Sequence, residues 1–125
     1  MAASYRIDKQ KRLIVSTASG VLTLDDVLRQ QEQLLKDTDF DPSFSQLVDF
    51  DDVTEVAVAT DDVRRMAEKS IFMPGTRRAL VAQKSDVAFG LSRMFEILRN
   101  LKGDEGVRVF RDRDQAIAWL FSKER

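Results

Sequence analysis

The sequence predicts an α/β fold: a mixed β-sheet with helices packed on it, in the order β-β-α-β-α-β-α-β-α. Three observations predict it. Short apolar runs alternate with segments of about ten to sixteen residues whose apolar positions recur at helical spacing, which implies crossovers between parallel strands. The first two runs are separated only by the charged turn Asp8–Arg12, so they pair as a hairpin and make the sheet mixed. The helical segments open on Thr, Ser or Asp with acids in the first turn, as helix N-termini favour.

The elements follow in order. Tyr5–Ile7 and Leu13–Ser19 read as strands, the second carrying the β-branched residues Ile14, Val15 and Thr17. Gly20 permits a bend or bulge, after which Val21–Leu22 resumes the strand. Thr23 caps a helix from Leu24 to about Lys36, with Leu24, Val27, Leu28, Leu34 and Leu35 as its apolar stripe. Gln31 falls in the middle of that stripe. If buried, it needs a hydrogen bond from a loop backbone or a ligand's polar head; otherwise it reaches water at the rim of the core.

Gln46–Phe50 is short enough for a buried strand, and Asp49, Asp51 and Asp52 are expected to end it in an acidic loop. Val56–Ala59 reads as a linker or a short extended segment. Thr60 is expected to cap a helix from Asp61 to about Ser70, with Val63, Met66, Ala67 and Ser70 inward. Pro74-Gly75 marks a turn, and Pro74-Gly-Thr-Arg-Arg78, with one glycine, reads as a loop entering the strand Ala79–Ala82. Ser85 caps the third helix, Asp86 to about Leu101, with Gly103 at its C-terminal end. Val107–Phe110 is the last strand. Asp112 caps a final helix, about Arg113–Ser122, that buries Ala116, Ile117, Trp119 and Leu120.

Composition narrows the chemistry. The chain has 125 residues, the size of one domain spanning 1–125, and enough to bury a core without disulfides or metal. It has no Cys and no His, which removes thiolate catalysis, Cys-based metal sites, and the side chain best suited to proton transfer near neutrality. The expectation is a protein without enzymatic activity and without a cofactor. No stretch has the length of a membrane span and no signal-peptide core opens the chain, so a cytoplasmic location is expected. The net charge of −1 speaks against a nucleic-acid partner. Charge is nonetheless uneven: residues 1–75 carry a net −5 and residues 76–125 a net +4. Such asymmetry either steers self-association and partner choice or balances within the fold.

Three features are candidates for function. The acids Asp49, Asp51 and Asp52 stand at the carboxyl end of an inner strand, where α/β sheets commonly bind ligands. Their spacing matches no EF-hand, however, and a solvated loop explains them. Phosphate on Thr60 would lie at a helix N-terminus, but Asp61 and Asp62 would repel it, and capping alone accounts for the residue. On the third helix, Val87, Leu91, Met94, Phe95, Ile97, Leu98 and Leu101 fill about half the circumference, leaving Phe89 on the polar side with Arg93. With Phe72 and Met73 just past the second helix, Phe89 and Arg93 form a candidate interaction surface.

The order of elements, the strand Leu47–Asp49 ending in Asp-Phe-Asp-Asp-Val-Thr, and the closing Val-Phe-Arg-Asp-Arg-Asp-Gln-Ala-Ile-Ala-Trp-Leu together resemble stand-alone bacterial STAS-like (SpoIIAA-like) domains, related to anti-sigma-factor antagonists. The resemblance covers nearly the whole chain and rests on apolar and turn patterns. It implies a mixed sheet with helices against it. It also implies regulators that bind a partner kinase, and an architecture likened to CRAL-TRIO lipid-transfer domains. Partner-switching antagonists carry a phosphorylatable Ser in an Asp-Ser-Ser-Gly-like turn; here the stretch is Val56-Ala-Val-Ala-Thr-Asp-Asp62, with no Ser and no Gly. Two functional expectations follow. One is a regulatory module that binds a protein partner or a second copy of itself; the other is a carrier or sensor of a small apolar or lipid-like ligand.

Overall fold

The computed structural model describes residues 3–122. Nine elements follow in the expected order: β1 (Ala3–Asp8), β2 (Leu13–Thr23), α1 (Leu24–Lys36), β3 (Ser45–Ala57), α2 (Thr60–Glu68), β4 (Arg78–Val81), α3 (Asp86–Leu101), β5 (Val107–Phe110) and α4 (Arg113–Leu120). The strands lie in sequence order, β1-β2-β3-β4-β5; β1 is antiparallel to β2 and every later pair is parallel.

Because each parallel strand is added on the same side of the last, the three crossovers turn the same way and bring α1, α2 and α3 to one face. α4 follows the edge strand back onto the other. Strand alternation divides the core accordingly. Leu13, Val15, Leu47, Ala79 and Val81 pack against Ala116 and Leu120 of α4, while Ile14 faces Leu34 of α1 and Phe44.

Local chemistry sets the helix starts. Thr23 Oγ1 accepts from the Asp26 amide at 3.2 Å while the Asp26 carboxylate accepts from the Thr23 amide at 3.0 Å, a reciprocal capping box. Ser85 accepts from the Ala88 amide at 3.1 Å, and Asp112 from the Asp114 amide at 2.7 Å. Thr60 departs from expectation. It is the first helical residue, Ala59 is the N-cap, and the Asp62 carboxylate takes the Ala59 amide at 2.9 Å. The acid three positions into the helix replaces the hydroxyl as the group that meets the free amides.

The largest departure is β3. The acids Asp49, Asp51 and Asp52 do not end it in a loop; the strand continues through them to Ala57 and absorbs the first half of the expected linker. It can do so because β2 runs on to Thr23 and offers its edge throughout. The pairing is irregular: Thr17 to Val21 in β2 are matched by Asp49 to Glu55 in β3, four steps against six. These bulges bend the strand. Gly20, at φ 65°, supplies the left-handed backbone the irregularity needs.

α3 is also turned from its expected orientation. Ala88, Ser92 and Arg99 are buried, whereas Val87, Ile97 and Leu101 are 60%, 50% and 77% exposed. The inward face is rotated by about one residue, or about 100°, from the most apolar one. Arg99 anchors this face: it is held inside by the Asp104 carboxylate, with Nη2–Oδ2 at 3.0 Å, and by the Ala67 carbonyl of α2 at 2.9 Å. Arg78, on β4, pairs with the same carboxylate and also donates to Ser70 Oγ at 3.1 Å. The Gly75 and Gly106 amides complete the cluster at 3.1 Å each. Burial pushes the Asp104 carboxyl up, but the Arg78 hydrogen bond, the two amides and the Arg78 charge together outweigh it and hold the pKa at about 2.

Candidate functional site

A pocket lies between the sheet and the three helices of one face. α2 packs along α3, and α1 packs on β1 and β2 instead, so the pocket opens between α1 and the α2–α3 pair. α1 is fastened at its outer side: Tyr5 Oη donates to the Asp37 carboxylate at 2.8 Å, and Gln30 Nε2 donates to the Ser4 carbonyl at 3.1 Å. Burial and the Asp37 carboxylate push the Tyr5 hydroxyl up to about 12, so the donor stays protonated across the physiological range.

The cavity measures about 180 Å³. Its floor is Ala18 and Leu22 of β2, Gln46, Val48, Phe50 and Val56 of β3, and Leu80 of β4. Val63 and Met66 of α2 and Ala88, Leu91, Ser92 and Phe95 of α3 form one wall; Val27, Gln30, Gln31 and Leu34 of α1 form the other. Ile71 and Phe72 close one end, where the Phe40 ring meets Phe72 edge-on at 5.7 Å.

The extension of β3 makes this space. A strand ending at Phe50 would leave out Val56, and the following Val58 would not be carried to the rim. No lining side chain among the described residues is charged. The polar ones are Gln30, Gln31, Gln46 and Ser92, and Gln46 Nε2 donates to Ser16 Oγ at 3.0 Å.

The residues singled out from sequence scatter around this pocket. Phe72 lines it and lies beneath the Arg78 guanidinium, 5.4 Å from the ring centroid. Met73 is exposed, with its amide on the Pro42 carbonyl at 3.0 Å. Phe89 is half-buried under Arg111, whose guanidinium carbon stands 4.0 Å from the ring centroid, and Arg93 pairs with Glu96 on its own helix at 2.9 Å. Among the described residues, no hydrogen bond, ion pair or ring contact joins Phe89 or Arg93 to Phe72 or Met73.

The acids serve the backbone and a neighbouring helix. The Asp49 carboxylate pairs with Arg113 of α4 and takes the Asp51 amide at 2.9 Å, at the first bulge of β3. Asp51 accepts the Gln83 amide at 3.0 Å, where β4 has ended and one edge of β3 has no strand beside it. Negative side chains along such an edge discourage another strand from adding to it. Among the described residues, no group of three or more carboxylates is placed to hold a metal ion.

Gln31 and Phe72 are the residues singled out from sequence that line the pocket, joined by Val27 and Leu34 of α1, Val63 and Met66 of α2, and Leu91 and Phe95 of α3 from the expected inward faces. The lining that the sequence did not mark includes Val56 and Val58, past the expected end of β3, and Ala88 and Ser92 on the rotated face of α3. The alternation of Val48 with Phe50, and of Val56 with Val58, was the available signal; the intervening acids masked it.

The mixed five-stranded sheet in sequence order, with three helices on one face and one on the other, matches a SpoIIAA-like fold. A solved structure described as having that fold, an uncharacterized protein of the DUF3478 family from Shewanella loihica PV-4, matches with a TM-score of 0.59 at 19% identity, covering 95% of this chain and 94% of its own. No protein-family model and no curated protein matches the chain. Among the described residues, no helix is long and apolar enough to cross a membrane.

Proposed function

We propose that this protein binds a small apolar or amphipathic molecule in the pocket beneath α1, α2 and α3, and acts as a carrier or sensor without catalysing a reaction on it. The observation that carries this reading is the uncharged, mostly aliphatic lining around about 180 Å³ of space. A concave space of this size and lining suits a ring or a short alkyl chain, whose apolar surface would leave water on binding. The opening beside α1 is the way in for a ligand.

Trifluoromethylbenzene, followed by fluorine NMR, is a suitable probe. It should bind saturably, and Ala88→Leu, which puts a larger side chain into the cavity, should weaken binding by about tenfold or more while leaving the far-UV circular dichroism unchanged. Uptake that never saturates, or that is indifferent to Ala88→Leu, would remove the reading.

A second reading is recognition of a protein partner, in line with the anti-sigma-factor-antagonist-like fold. It is favoured by the exposed apolar stripe of Val87, Ile97 and Leu101 on α3. The stripe extends over fourteen residue steps, roughly 21 Å of helix. Replacing Ile97 and Leu101 by Asp should abolish any concentration-dependent association seen by sedimentation; a wholly monomeric wild type that also retains no protein partner would end that reading.

A further inference from the structure

Resting on the pocket reading, we infer that the ligand is an uncharged amphiphile whose polar head is held by the side-chain amide of Gln31, and that carboxylate and ammonium heads are discriminated against. An ion transferred into an apolar cavity needs a counter-ion or several aimed dipoles, and its transfer costs far more than that of a hydroxyl or amide. The lining offers no counter-ion. The buried cations Arg78 and Arg99 are committed to Asp104, to Ser70 and the Thr76 carbonyl, and to the Ala67 carbonyl.

The polar lining groups then differ in what they have left to give. Gln30 is engaged with the Ser4 carbonyl and Gln46 with Ser16, while Ser92, buried on the α3 wall, brings only a single hydroxyl. The Gln31 amide makes no hydrogen bond to the protein among the described residues, and it lines the pocket from a half-buried position on α1. A primary amide presents two donors and an acceptor at once, which complements another amide, a hydroxyl or a carbonyl. Val27 and Leu34, on the same wall of the pocket, put that group beside the apolar body of the ligand.

Octanamide, octanol, octanoate and octylammonium test this by calorimetry at about pH 7, where the last two carry charge. The neutral pair should bind about tenfold tighter than the ions, or better. Gln31→Leu should shift the ratio of octanamide to trifluoromethylbenzene affinity about tenfold toward the latter, because an amide head would then lose its partner. Octanoate or octylammonium binding as tightly as octanamide would overturn the inference, and so would an affinity ratio unmoved by Gln31→Leu. The two readings fail separately. Binding of trifluoromethylbenzene with a preference for ions sinks only the head assignment, whereas no binding by any of these molecules sinks the pocket reading and the inference with it.

Discussion

Asp104→Ala is the perturbation whose size the structure defines best. The carboxylate is 1% exposed and receives Arg78, Arg99 and the Gly75 and Gly106 amides. Two routes bound the loss. The shift of its pKa from 3.8 to about 2 corresponds to about 2–3 kcal/mol of stabilisation at neutral pH. Removing one partner of a buried ion pair costs about 3–5 kcal/mol, because the remaining charges lose their compensation. The second figure applies to Ala, since it counts the two guanidinium groups and two amides left behind. Against a typical stability of about 5–15 kcal/mol this is a large fraction.

Urea unfolding followed by circular dichroism should show the midpoint lowered by on the order of 2 M. The sign with pH is fixed by the depressed pKa: the stabilisation is complete above the unfolded value of 3.8 and disappears as pH falls through that value toward about 2. Asp26, Asp37 and Asp41 are lowered too, by hydrogen bonds they accept, but they titrate in both proteins. The gap between wild type and variant therefore isolates Asp104, and it should narrow on acidification over that window. A variant with the wild-type midpoint, or a gap that stays constant down to about pH 2, would refute the reasoning.

Two further pairs of substitutions test the local arguments. A Cβ on Gly106 would stand 2.1 Å from the Thr76 carbonyl oxygen, so Gly106→Ala should destabilise by about 2–3 kcal/mol in the same assay, whereas Gly90→Ala, in open space inside α3, should stabilise by about 0.5–1 kcal/mol. Thr23→Ala removes a capping box and should cost about 1 kcal/mol, while Thr60→Ala removes no cap and should stay within about 0.5 kcal/mol.

The number, order and type of the elements could be read from the sequence because their signals are local. Apolar spacing, Thr23, Ser85 and Asp112 as caps, and Gly103 after α3 each act within a few residues. What could not be read depends on distant partners. The orientation of α3 follows from Arg99 finding Asp104 and the end of α2, and a period count treats Arg99 as a surface residue. The length of β3 follows from β2 pairing along it and from Asp49 and Asp51 capturing the amides that the bulge and the end of β4 leave open. Both features shape the pocket, so the site was less legible than the fold. Gln31 stood out only because it interrupts a local stripe.

Where a ligand sits decides between the pocket and the outer face of α3. With methyl-labelled protein and bound octanamide, intermolecular nuclear Overhauser effects should connect the ligand to Leu22, Val56, Ala88 and Leu91. Effects confined to Val87, Ile97 and Leu101 would place the ligand outside and contradict the account.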